Sequence, residues 1–278
     1  MTQVWYHGNC CDGFGAAWAA SHNLGRGKDI TYVSCAYGQP IPPYEKGEDI
    51  YILDFSFPRD ILIEVYKNAG KLVVLDHHKT AEEALQGLSF CTFDMKRSGA
   101  GMAWDYFHPN EPRPLMINLI EDRDLWLFRY EETKAFQAYL RAHPFDFDVW
   151  DNIYLDCVNN KEKVVNVGDS ILQFQDSQVE KMCKHSWVTE IRGHKAATVC
   201  ATAFWSEVST ELLEKHLDAK FSASFGIQSD GKVLWSLRSR SEFDVSEIAK
   251  SFGGGGHKNA AGMRTNTIEE VFTKWGQK

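Results

Sequence analysis

Three apolar runs in this chain end in side chains that bind metals or protons. Val4-Trp5-Tyr6 is followed by His7, Ile50-Tyr51-Ile52-Leu53 by Asp54, and Leu72-Val73-Val74-Leu75 by Asp76-His77-His78. Each run reads as a short buried strand. One strand ending in a carboxylate is ordinary, and two adjacent histidines alone would be a capped turn at the surface. Parallel strands, however, bring their carboxyl ends to one edge of a sheet, where α/β active sites form. Three such ends carrying His and Asp make a set of oxygen and imidazole donors suited to divalent cations. Asp12 joins them from the turn Gly8-Asn9-Cys10-Cys11-Asp12-Gly13. The segment Glu121-Asp122-Arg123-Asp124 crowds three carboxylates into four positions, which is costly unless cations or arginine compensate. A solvated helix end, with Arg123 pairing locally, is the plainer alternative there.

A second chemistry lies near the other end of the chain. Gly253-Gly254-Gly255-Gly256-His257 precedes Lys258-Asn259-Ala260-Ala261-Gly262. Four glycines in a row cost about 1 kcal/mol each to order, relative to alanine. The run is short and sits between patterned segments, so a flexible linker is disfavoured. It reads as a loop whose N–H groups wrap an anion, with His257 adding a donor. It lacks the Gly-Lys-Ser/Thr ending of a Walker loop. Arg238, at the end of the preceding hairpin strand, could face the same anion in bidentate fashion.

The elements that must position these groups follow from periodicity. Strands end at His7, Cys35, Asp54 and Asp76, and an alanine-rich helix runs from Phe14 to His22. Further helices are expected from Pro58 to about Ala69 and from Ser98, a plausible cap, to Phe107. Alternating strands and helices imply a parallel sheet. Tyr154 to about Lys184 has helical periodicity, with Val164, Val167, Ile171, Phe174 and Val179 on one stripe, and it is read as a connector. Beyond it the pattern changes to short strands, with a hairpin of Phe221–Ile227 and Val233–Arg238 around Ser229-Asp230-Gly231. A helix capped by Asp244 and a last helix from Ile268 to Trp275 complete the chain. The expected architecture is α/β: a parallel-sheet catalytic domain over residues 1–155, a helical linker over 156–186, and a smaller mixed-sheet domain over 187–278.

Composition narrows the classes. A 44% hydrophobic and 24% charged chain of 278 residues is that of a globular protein with room for two domains. No apolar run approaches the roughly 20 residues that span a bilayer, and no secretory signal is evident at the start. The seven cysteines contain no C-x-x-C pair, so neither a disulfide framework nor a thiolate zinc site is indicated. Cys10 and Cys11 read as packing residues. The expectation is a cytoplasmic protein. A net charge of −8 argues against long duplex DNA as partner but admits a short anionic substrate, since bound cations reverse the local field of clustered carboxylates.

Taken in order, the His7-to-Asp12-Gly13 turn, Asp54, Asp76-His77-His78, the acidic Asp122 segment, and Gly253-Gly254-Gly255-Gly256-His257 with Ala260-Ala261-Gly262 resemble the DHH phosphoesterases that carry a DHH-associated C-terminal domain. The ordered set covers nearly the whole chain. The resemblance implies a hydrolase using two divalent cations, manganese with magnesium as the alternative. His7 and Asp54 would hold one ion. Asp12, Asp54, His77 and Asp122 would hold the other, with Asp54 bridging and Asp124 as the alternative to Asp122. Asp76 would orient a histidine, and His78 would hold the site or the scissile phosphate. Arg238 and His257 would bind substrate phosphate with Gly255 and Gly256, and Ser98 and Asn259 would contact substrate. The first motif departs from the family pattern in having a single aspartate, which implies a first ion weakly held or completed by water.

Within that family the expected activity is hydrolysis of short single-stranded oligonucleotides to mononucleotides. Alternatives are a cyclic or linear dinucleotide phosphodiesterase and a hydrolase of polyphosphate, pyrophosphate or a nucleoside bisphosphate. A nucleic-acid-binding protein without catalysis is the reading from a different class. An aromatic for base stacking is expected, with Trp126, Phe145 and Trp150 as candidates. The oligomeric state is left open, a homodimer among the options.

Overall fold

Period-two alternation decides the first sheet. In β1 (Thr2–His7) Val4 faces one hydrophobic cluster and Trp5 the opposite one. After helix α1 (Cys11–Leu24) and β2 (Ile30–Cys35), β3 (Asp49–Leu53) does the same, with Tyr51 and Leu53 on the first cluster and Ile50 and Ile52 on the second. Helix α2 (Arg59–Asn68) leads to β4 (Lys71–Asp76), which places Leu75 on the first cluster and Leu72 and Val74 on the second. Helix α3 (Lys79–Leu85) and β5 (Cys91–Phe93) complete this part. All pairings are parallel, in the order β2-β1-β3-β4-β5. A sheet buried on both faces requires such near-continuous apolar strands.

This computed structural model describes residues 1–240 and 242–272. The chain divides into two compact units, Met1–Leu172 and Gln173–Lys278. The first unit is completed by α4 (Gly99–Phe107), α5 (Leu115–Asp124), α6 (Thr133–Arg141), α7 (Phe147–Asn159) and the first half of α8 (Lys161–Cys183). Ala16, Ala17, Ala19 and Ala20 of α1 are wholly buried, and a Cβ at Gly15 would lie 3.1 Å from that of Ala100 in α4. Small residues thus let α1 and α4 approach beside the sheet edge that carries His7 and Asp54.

The expected connector is two helices, not one. Asp146 accepts from the N–H groups of Asp148 and Val149 and starts α7 early; Asn160, at φ −150 and ψ 41, breaks the path before α8. The expected stripe also shifts. Val164 and Val179 are buried, but Val167 and Phe174 are 41% and 63% exposed. Gly168 is buried instead, because α8 crosses α6 where a Cβ on Gly168 would meet the Ala135 carbonyl oxygen at 2.0 Å.

The second unit contains β6 (Trp187–Ile191), β7 (His194–Cys200), α9 (Trp205–Lys215), β8 (Phe221–Ile227), β9 (Val233–Ser239), α10 (Val245–Lys250), β10 (Gly255–His257) and β11 (Ala260–Thr265). They form a mixed sheet of order β10-β11-β9-β8-β7-β6 in which only β7 and β8 run parallel. In β8, Phe221, Ala223 and Phe225 enter one core, while Ser222 and Ser224 lie under α9, bonded to the Ser209 carbonyl and hydroxyl at 2.6 and 2.8 Å. The last helix expected from Ile268 falls partly outside the described residues; up to Phe272 the chain is turn. No helix among the described residues is long and apolar enough to cross a membrane.

Candidate metal centre

The carboxyl ends of β1, β3 and β4 supply a cluster of donors. His7 closes β1, and its Nδ1 lies 3.3 Å from Asp54 Oδ2. Asp54 follows β3 with φ 54, a left-handed conformation that costs a non-glycine residue roughly 1–2 kcal/mol. Its N–H donates to the Leu75 carbonyl at 2.8 Å, and a Cβ on Gly99 would sit 2.3 Å from its own Cβ. Packing therefore holds the strained residue in place, as is common at functional sites.

His77 follows β4. Its Nε2 is 3.0 Å from Asp54 Oδ1, 3.5 Å from Asp12 Oδ2 and 3.5 Å from Asp124 Oδ2. Asp12 is fixed in turn by the first turn of α4, accepting from Gly99 N at 2.6 Å and Ala100 N at 3.0 Å, at the helix end that favours negative charge. Asp76 has no exposed surface. It accepts from Ser56 Oγ at 2.9 Å and from the His77 and His78 N–H groups at 2.7 and 3.2 Å. Its Oδ1 also meets His78 Nδ1 at 2.7 Å. A carboxylate on one ring nitrogen fixes the imidazole and turns the other nitrogen toward a ligand role.

Among the described residues, two donor triads lie wholly within the first unit. The donor atoms of Asp12, Asp54 and His77 lie within 4.8 Å of one another, and so do those of His7, Asp54 and His78. Asp54 belongs to both. The electrostatics call for cations. Burial, with the charges of Asp54 and Asp124, pushes the Asp12 carboxyl well above the usual carboxylate range. Burial opposes ionisation of Asp54 too, yet the hydrogen bonds of His7 and His77 hold its pKa well below that range. On His77, burial is outweighed by the Asp54 hydrogen bond and the Asp124, Asp54 and Asp12 charges, so its pKa is pushed well up. These buried carboxylates and imidazoles form a set of oxygen and nitrogen donors that could hold divalent cations.

The structure separates the acidic segment. Both oxygens of Asp122 are engaged elsewhere: Oδ1 accepts from Arg129 N at 2.9 Å and Nε at 3.2 Å, and Oδ2 from Tyr130 N at 3.3 Å and Thr133 Oγ1 at 2.5 Å. The acid drawn toward His77 is Asp124, so the expected place of Asp122 among the ligands is corrected. Ser98 is corrected as well. It is fully buried and its Oγ caps α4 by accepting from Gly101 N at 3.2 Å, which leaves it no surface for substrate. Its own N–H donates to Glu121 Oε2 at 3.0 Å, and Glu121 pairs with Arg113 at 2.8 Å. Arg113 also pairs with Asp105, which Arg97 reaches at 3.0 Å. This chain of ion pairs seats α4 behind the centre, and its eight-residue spacings, outside the i, i+3 and i, i+4 helix pattern, gave no local signal.

In the second unit Gly255 and Gly256 are not an anion-wrapping loop. They are part of strand β10, paired with Gly262 and Ala261. The glycines serve close packing: a Cβ on Gly254 would lie 2.2 Å from the Gly262 carbonyl oxygen, and one on Gly256 would lie 2.6 Å from that of Ala260. Asn259, in the turn between β10 and β11, is bonded to the end of β9, its Nδ2 donating to Ser239 Oγ at 2.9 Å. Arg238 and His257, however, share one line. His257 faces Ala260, and Ala260 faces Arg238, so all three side chains leave the same sheet face. Strands about 4.8 Å apart put the outer two α-carbons roughly 10 Å apart, with only a methyl group between. Arg238 Nη2 is steadied by Ser206 Oγ at 2.7 Å.

Residues 202–274 match the DHHA1 domain family. Among curated proteins, the chain is 30% identical over 288 residues to uncharacterized protein R106 of Acanthamoeba polyphaga mimivirus, covering 96% of this chain and 68% of that protein. It is 25% identical over 300 residues to oligoribonuclease NrnB of Bacillus subtilis (strain 168), covering 96% and 74%. Among solved structures, an exopolyphosphatase-related protein from Bacteroides fragilis superposes with a TM-score of 0.51 over 97% of this chain and 88% of that one, at 15% identity. That likeness establishes the shared fold.

Proposed function

The chain belongs to the DHH phosphoesterases, a family of metal-dependent hydrolases, and on that premise we propose that it is a two-cation phosphodiesterase that releases mononucleotides from short single-stranded oligonucleotides. The observation that carries this reading is the sharing of Asp54 between two donor triads. Asp12, Asp54 and His77, joined by Asp124, would hold one cation, and His7, Asp54 and His78 the other. When bound, such a pair supplies the positive charge that activates water and offsets charge building on the phosphoryl oxygens. The chain's own groups do the rest. Asp76 holds His78 in one orientation, the first turn of α4 holds Asp12, and the strained backbone of Asp54 aims its two oxygens at separate histidines. Arg238 and His257 bind a substrate phosphate across Ala260.

The likeness to an oligoribonuclease over almost the whole chain supports a short oligonucleotide as substrate, and the acidic charge of −8 suits a short anion better than a long polymer. The test is a panel of single-stranded substrates from dinucleotides to 24-mers, with pyrophosphate and polyphosphate alongside, in manganese. Mononucleotide release fastest on the shortest members is expected. Hydrolysis of pyrophosphate or polyphosphate alone would refute the nuclease reading.

A further inference from the structure

We propose that Trp126 is the specificity-determining residue of the substrate site, stacking on the nucleobase next to the scissile phosphate; this rests on the oligonucleotide reading above. Two of the aromatic candidates are tied into packing. Trp150 is wholly buried, edge-on to Phe14 at 4.8 Å; Phe145, though 37% exposed, is anchored on Phe14 at 5.5 Å and Trp150 at 6.1 Å, away in sequence from every donor. Trp126 is 39% exposed, and its α-carbon lies two peptide units, at most about 7.6 Å, from that of Asp124, whose carboxylate approaches His77 to 3.5 Å.

The loop that presents it is built with care. Trp126 and Phe128 have φ of 58 and 51, a region that bulky L side chains enter only against steric cost. Asp122 imposes this path: its carboxylate takes the N–H groups of Arg129 and Tyr130 and the Thr133 hydroxyl, and its carbonyl takes Leu127 N at 2.9 Å. The indole is then braced. The Arg123 guanidinium carbon lies 4.2 Å from its centroid, and Phe128 stands edge-on at 5.0 Å. A buried carboxylate, two strained residues and a stacked cation together hold one exposed aromatic ring on the loop that leaves α5 just after Asp124. Core packing needs none of this for a ring left partly in solvent, whereas a base-stacking platform needs all of it: a fixed flat surface, within reach of a nucleotide whose phosphate lies at the cluster.

The test compares kcat/KM in manganese for a dinucleotide and for the same molecule with one base removed, each base position in turn. Stacking of one base is worth about 1–3 kcal/mol, so Trp126→Ala and Trp126→Leu should lower the ratio of intact to abasic kcat/KM at one position by roughly 5- to 150-fold, and Trp126→Phe should keep most of it. Equal losses on intact and abasic substrates, or an unchanged ratio in the Leu variant, would overturn the assignment. A wild-type protein that cleaves neither substrate sinks the oligonucleotide reading and this one with it, whereas cleavage with an unchanged ratio sinks this one alone.

Discussion

Side chains two positions apart on an α-helix point about 200° apart, so Asp122 and Asp124, at the end of α5, cannot both face His77. Asp124 does, and Asp122 organises the loop that follows. Their substitutions should therefore part company. Asp122→Asn turns an acceptor oxygen into an amide N–H₂ among N–H and hydroxyl donors, and it should lower unfolding free energy by about 2–3 kcal/mol. Asp124→Asn should leave the unfolding midpoint in place and lower kcat by about a hundredfold or more, as loss of a ligand should cost at least what its supporting partners do. Denaturant melts and steady-state kinetics on both variants check this, and the reverse pattern would return Asp122 to the centre. The same geometry explains which residues were readable in advance. His7, Asp12, Asp54, Asp76, His77 and His78 needed only the recognition of strand ends and the turns beside them, because parallel strands bring those ends together. Choosing between Asp122 and Asp124 needed the helix phase at its last turn, which spacing alone does not supply.

At the level of elements, continuous apolar runs alternating with helical segments announced the parallel sheet, and the expected caps Ser98 and Asp244 sit where helices begin. The glycine run shows the limit of composition. Four glycines read as a loop, yet two of them are strand β10, and the reason is steric: backbone approaches at Gly254 and Gly256 that no side chain permits. Contacts of that kind lie across the sheet and leave no mark on local sequence. Gly254→Ala separates the two accounts. A Cβ forced against backbone atoms should destabilise the second unit by about 1–3 kcal/mol, seen as a lower denaturant midpoint. In a free loop the same change would be neutral or slightly stabilising. The break at Asn160 was hidden for a related reason, since neighbouring segments both carry helical periodicity.

On the scale of the whole molecule, the chain joins a doubly covered parallel sheet, which carries the donor cluster, to a mixed sheet with Arg238 and His257 on one face. The two units divide at residue 172, within α8, and the DHHA1 match over residues 202–274 lies in the second. The cluster is the part on which the account stands or falls. The donor cluster centred on Asp54 should be inert as a catalyst until divalent cations are supplied. The most direct measurement is manganese-dependent release of mononucleotide from a dinucleotide by the whole chain, run beside His77→Ala with circular dichroism to verify its fold. The account predicts wild-type turnover that a chelator abolishes and manganese restores, and a folded variant slower by about a hundredfold or more. Manganese-dependent turnover undiminished in His77→Ala would contradict it.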